Sequence, residues 1–219
     1  MSVNWDGNTR PEKMAPSYLE PRVAFADAAK SFDWIKVMSM LKTDPGLVNL
    51  CRPGSKSLFA PLHQAANSGA SEMVVRDLIN AGAWRTLQNS RGERAVDVAE
   101  RKGHTHLLPL LEPVFRHCAP MGVLLKIQTH FHAVIQGRVD ELVQEHQLKL
   151  PELEPLLELD NAEMWFPVAG MYGGFCYRLE TFGVEAKLVV ESWCRVAGGS
   201  GQRHEITSKG SQLVAEGFV

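Results

Sequence analysis

The chain has 219 residues, with 23 lysines and arginines against 25 aspartates and glutamates, 45% hydrophobic and 22% charged residues. This balance argues against a protein that grips nucleic acid by bulk positive charge, and against a chain disordered throughout, which needs low hydrophobicity and high net charge. The first twenty residues lack an apolar signal segment, and no run approaches the roughly 18 consecutive apolar residues of a membrane span, so no membrane association is expected.

Cys51, Cys118, Cys176 and Cys194 form no C-x-x-C pair. Free thiols in a reducing cytoplasm are therefore expected, with no zinc knuckle or redox motif.

In chain order, residues 1–20 read as an N-terminal arm, 21–150 as a repeat array and 151–219 as a strand-rich domain. The array rests on an internal offset of 34 residues that carries Leu62 to Val96, Ala65 to Ala99 and Gly69 to Gly103. Another such step reaches Ala133 and Gly137, and a step of 37 backwards from Ala65 reaches Ala28. Small Ala65 and Ala99 suit closely packed helices, and Gly69, Gly103 and Gly137 suit helix ends that need positive φ. Leu62, Leu78 and Ile79 recur on one helical face, which a lone helix pair cannot bury.

The segment Ala60-Pro61-Leu62-His63-Gln64-Ala65-Ala66, followed by Gly69, then Leu78-Ile79 and Ala81-Gly82-Ala83, resembles the ankyrin repeat. The third repeat, ending in Gly103-His104 and Leu107-Leu108, resembles it as well. The first and fourth depart from the pattern, as terminal caps do. Phe32 stands where the family has glycine, and His130-Phe131 where it has Leu-His. The resemblance covers about 60% of the chain and implies a short α-solenoid of about four repeats that binds a protein partner through its loops and inner helices. It also implies structural roles for His63, in the Pro-Leu-His turn, and for His104.

The expected fold is α+β, with the solenoid followed by a small antiparallel β-sheet docked on its end. Leu150–Leu159 reads as a short helix with Leu153, Leu156 and Leu157 at the join. Strands are expected over Met164–Val168, Tyr172–Leu179, Lys187–Val196 and Gln202–Thr207, separated by Gly-rich joints. A hairpin at Phe182-Gly183 puts Cys176 opposite residue 190 or 191. A second hairpin, centred near Gly199–Ser200, puts Arg195 opposite His204 and Cys194 opposite Glu205, so that Glu191, Trp193 and Arg195 share a face with His204.

Two groups of residues are candidates for function. At the array, Trp84 replaces the Asp or small polar residue usual after Gly-Ala and is followed by Arg85; exposed Trp and Arg favour binding hot spots, while packing against the neighbouring loop or the N-terminal arm explains Trp84 equally well. In the tail, His204, Glu191, Arg195 and Glu205 are the candidate acid–base residues, and Trp165, Tyr172, Trp193 and Arg203 the candidate partner- or ligand-binding residues. Cross-strand pairing of Glu191 with an arginine is the structural alternative. His104-x-His106 and His130-x-His132 point about 200° apart if helical, so no metal is expected, and no cofactor motif is present. The leading expectation is thus a non-catalytic interaction protein with an unidentified protein partner. The alternative is a small-molecule-binding protein or acid–base enzyme whose pocket is built by the C-terminal sheet and the last repeat.

Overall fold

The structure, a computed structural model, describes residues 3–194 and 200–217. It is α+β, with seven α-helices and one six-stranded sheet among the described residues. The chain divides into two compact units, Thr9–Val114 and Phe115–Val219 together with Met1–Asn8. These bounds differ from the expected ones at 20 and 150.

The first unit is helical. It holds α1 (Pro16–Lys30), α2 (Trp34–Thr43), α3 (Pro61–Ser68), α4 (Glu72–Asn80), α5 (Ala95–Lys102) and α6 (Leu108–Leu111). Helices α3 and α5 are offset by 34 residues at both ends, and each stops at a glycine in the left-handed region, Gly69 (φ 65°) and Gly103 (φ 75°). That conformation favours glycine, which has no Cβ to clash with the following carbonyl. A β-carbon on Gly69 would also meet the His104 ring at 2.7 Å. The N-terminus of α3 is closed by His63, whose Nδ1 accepts from the Ala60 amide at 3.3 Å and whose Nε2 lies 3.1 Å from the Glu93 carbonyl. At α5 the Asp97 carboxylate accepts from the Arg94 amide instead, at 2.7 Å. Leu62, Ala65, Leu78, Val98, Ala99, Leu107 and Leu111 are all buried in one continuous apolar core.

At the opening helix pair, Phe32 occupies the left-handed position at the end of α1 (φ 62°). A bulky residue pays a steric cost there that glycine avoids. Phe32 is 44% exposed and stacks on Trp34 with ring centroids 6.3 Å apart.

The second unit is a sheet with one long helix. Its strands are β1 (Val3–Asn4), β2 (Glu163–Val168), β3 (Gly173–Phe182), β4 (Glu185–Cys194), β5 (Ser200–Thr207) and β6 (Gly210–Glu216), in that spatial order. β1 runs parallel to β2 and every other neighbouring pair is antiparallel, so the sheet is mixed rather than antiparallel. Val3 and Asn4, expected in an N-terminal arm, are therefore part of a sheet. Trp5 is buried beside β1, and its indole Nε1 donates to the Lys149 carbonyl at 2.8 Å.

The stretch expected to form a fourth repeat takes a different form. Ala133 and Gly137 lie inside α7 (Met121–His146), and the helix is interrupted at Val139 (φ −145°, ψ 32°) rather than ended at Gly137. Leu124, Ile127, Phe131 and Ile135 share one face of α7 and are fully or almost fully buried. Phe131 packs on Phe175 and Tyr177, at centroid distances of 6.3 and 5.0 Å, which sets α7 against one face of the sheet. Residues 154–158 form a 3-10 turn, with Leu153, Leu156 and Leu157 buried and the Leu153 amide donating to Gln128 Oε1 on α7.

Candidate functional site

Strand alternation sorts the residues of the second unit onto two faces. Because α7 covers Phe175 and Tyr177, their cross-strand neighbours Ser192, Val190, Gln202 and His204 lie on that same side. The opposite face carries Trp165, Cys176, Glu191, Trp193, Arg203 and Glu205.

The open face gathers most of the tail residues singled out in the sequence. Trp165 and Trp193 stack with centroids 5.1 Å apart and planes inclined by 26°. They meet over Gly174, where a β-carbon would lie 2.9 Å from the Trp165 ring and would collide with the Phe166 carbonyl. Arg203 stands opposite Glu191, its Nη1 3.6 Å from Oε1, which is the cross-strand pairing weighed as the structural alternative. Lys187 bridges Glu205 at 3.1 Å and Glu180 at 3.5 Å, and the hydrogen bond to Glu205 holds its ammonium pKa above the ordinary value. Burial, aided by the Glu163 and Glu191 carboxylates, pushes the Cys176 thiol up to about 11, so it is a thiol rather than a thiolate near neutrality. Cys176 faces Glu191, one of the two partners expected for it, and all four cysteines are free.

The expected acid–base set is not assembled. In the β4–β5 pairing Val190 faces His204 and Val189 faces Glu205, whereas the expected register placed Arg195 and Cys194 there. The shift changes the parity, so His204 lies under α7 while Glu191 and Glu205 lie on the open face. Arg195 lies outside the described residues. Tyr172 is in the β2–β3 turn with φ 50°, is 77% exposed, and makes no ring contact among the described residues.

Under α7 the structure brings together residues that sequence reasoning missed. Arg138, on the last turn before the Val139 interruption, donates from Nη2 to the Ser200 carbonyl at 2.7 Å and to Ser200 Oγ at 3.0 Å. Its Nε, Ser192 Oγ and His204 Nδ1 are buried and have no hydrogen-bond partner among the described residues. Burial and then the Arg138 charge hold the His204 imidazole below its ordinary pKa, so it is neutral at pH 7. Cys194 closes this edge, its Sγ donating to the Met171 carbonyl at 3.0 Å. Arg138 had no motif to mark it, and Ser192 was one serine in a strand; only the register and the helix bring them to one place.

In the helical unit, Trp84 is buried rather than presented, at 7% exposure. Its amide donates to Asn49 Oδ1 at 2.9 Å, and Asn49 Nδ2 donates to the Gly82 carbonyl at 2.9 Å. Arg85 Nε is directed at the Leu110 carbonyl at 2.9 Å. Trp84 and Arg85 thus hold the loop base. The exposed loop tips carry Lys56, Ser57, Ser90 and Arg91 instead, and the Ser90 amide donates to the Ser57 carbonyl at 3.0 Å. Behind the second tip, Glu93 accepts from Arg101 at 2.8 Å and from Asn89 at 2.9 Å, and these bonds hold its carboxyl below the ordinary range.

Among the described residues no three His, Cys, Asp or Glu side chains are grouped to hold a metal ion, and no helix is long and apolar enough to cross a membrane. Comparisons with protein-family models and with curated proteins return no match to this chain.

Proposed function

We propose that this chain is a non-catalytic binding protein of a reducing cytoplasm, in which an ankyrin-type array recognises a protein partner through its loop tips. The observation that carries the reading is the exact 34-residue equivalence of α3 and α5, each closed by a left-handed glycine. Stacked, equivalent helix pairs present successive loops in a row, and such arrays serve as extended recognition surfaces. The two described tips expose Lys56 and Arg91, which suits a partner with an acidic contact surface. The four unpaired thiols support the reducing compartment. The reading is supported by the fold of the array, so the partner's chemistry is inferred from the tips alone.

The test is capture from a lysate by the wild-type chain and by a Lys56→Glu/Arg91→Glu double variant. The reading requires a protein that wild type retains and the double variant loses, with the circular dichroism of the two chains unchanged. Equal retention by both would overturn it.

The second reading is a small-molecule-binding protein, and the unpartnered polar atoms under α7 favour it. The acid–base form of that reading loses its support, because His204 does not share a face with Glu191 or Glu205.

A further inference from the structure

We propose that the polar corner formed by Arg138, Ser192 and His204 binds a small oxyanion, a carboxylate or a phosphate. The proposal rests on the small-molecule reading and names its ligand class.

Three observations carry it. First, Arg138 is a half-buried cation that no carboxylate neutralises among the described residues; its described partners are the neutral carbonyl and hydroxyl of Ser200. A desolvated guanidinium without a counter-charge is costly, and a bound anion removes that cost. Second, Ser192 is completely buried, yet its hydroxyl has no partner among the described residues. A buried hydroxyl normally finds a partner, and an exception calls for a water or an ion at that place. Third, His204 Nδ1 and Arg138 Nε are buried and unpartnered in the same corner. His204 and Ser192 are on adjacent strands, one pair apart on the helix-facing side, since Val190 faces His204 and Ser192 faces Gln202. The resulting set is a guanidinium N–H, a hydroxyl and an imidazole nitrogen, which donates when its proton sits on Nδ1, with no carboxylate among them. A donor set of that kind complements the oxygens of one oxyanion.

The open face offers no equivalent. Arg203 Nε is also buried and unpartnered there, but its guanidinium charge is matched through Nη1 by Glu191, and Lys187 is matched by Glu205 and Glu180.

The experiment is a titration of the full-length chain, followed by nitrogen-detected NMR of the Arg138 Nε and the His204 ring. One arm uses inorganic phosphate and the other acetate, each at constant ionic strength. The expected result is a saturable shift of both signals with at least one of the two anions, and the arm that saturates at lower concentration identifies the class. Arg138→Gln should abolish saturation and Ser192→Ala should weaken it about tenfold. Arg203→Gln, on the other face, should leave it unchanged. Arg138→Lys keeps the charge and should retain weakened binding, which separates loss of the ligand from loss of the fold. Two results would overturn the proposal. One is hydrogen-bond couplings from Arg138 Nε and His204 Nδ1 to main-chain carbonyls in the anion-free protein. The other is no saturable response to either anion. A response of the same signals to a library of neutral fragments alone would overturn the oxyanion and leave the small-molecule reading standing, whereas silence in every arm would overturn both.

Discussion

Glu191 faces Arg203 across β4 and β5, with 3.6 Å between Oε1 and Nη1, and His204, the next residue along β5, points to the other side of the sheet. The pair is about two-fifths exposed on each partner, so its attraction is screened by water. A double-mutant cycle with Glu191→Gln and Arg203→Gln should give a coupling of roughly 0.5 kcal/mol that shrinks with added salt. The cycle of Glu191→Gln with His204→Gln should give none within error. Urea unfolding of the four variants measures both, and a Glu191–His204 coupling larger than that of Glu191–Arg203 would contradict the register.

Phe131 is fully buried and holds α7 to the sheet through Phe175 and Tyr177. Phe131→Ala leaves a cavity that those rings fill only in part. The expected loss is about 3–5 kcal/mol in denaturant unfolding. Exposed Leu125 on the same helix provides the contrast: Leu125→Ala should change stability by less than about 0.5 kcal/mol.

Gly69 and Gly103 have similar backbone angles and different surroundings. Replacing either with alanine forces a β-carbon into the left-handed region, at a cost of about 1–2 kcal/mol. At Gly103 that is the whole penalty, because a β-carbon there meets nothing within 4 Å. At Gly69 the new atom sits 2.7 Å from the His104 ring, so Gly69→Ala should be the more damaging of the two. Equal midpoint shifts in thermal unfolding would refute the ordering.

Phe32 offers the opposite opportunity. Its left-handed backbone is strained, and its ring is nearly half exposed, so little packing is lost on removal. Phe32→Gly should stabilise the chain by about 0.5–1 kcal/mol, the relief of strain exceeding the loss of the stack on Trp34. Calorimetry should show a higher Tm for the variant.

His132 on α7 lies 2.8 Å from the Pro151 carbonyl through Nε2, and burial holds its pKa below the ordinary value of 6.5 despite that bond. Below that ordinary value the unfolded chain takes up a proton that the folded chain resists. Stability contributed by the neutral imidazole is therefore complete above about pH 6.5 and is lost as the pH falls through it. In urea titrations at pH 7.5 and pH 5.5, wild type should weaken more than His132→Gln, whose amide can still donate to the carbonyl. A steeper fall in the variant would show the sign to be wrong.

Much of the local structure was legible because its causes are local. The Pro-Leu-His turn and the glycine eight residues after Pro61 mark both ends of α3, and the same spacing recurs at α5. The β-branched and aromatic runs of β2 to β5 were legible for the same reason, and so, to within one residue, was the partner of Cys176, expected at 190 or 191 and found at 191. β6 was missed, since its residues are mostly exposed and show no buried alternation. On the open face, Trp165, Trp193, Glu191 and Arg203 were all named and do come together. For Trp84 the packed reading holds; sequence leaves it level with presentation because a tryptophan in a loop looks the same whether its ring is presented or buried.

Taken alone, the amino-acid order determined the α+β composition, the 34-residue helical period and most strands, because helix ends, turn residues and apolar spacing act within a few residues of the chain. Tertiary structure decided the rest. It paired Val3–Asn4 with β2, about 160 residues away, through backbone hydrogen bonds that carry no side-chain signature. It carried α7 past Gly137, because burying Ile127, Phe131 and Ile135 against the sheet outweighs one poor helix former. It set the parity of β4 against β5, and with it the face of His204, because in a pleated sheet an odd shift in pairing moves every side chain to the opposite side.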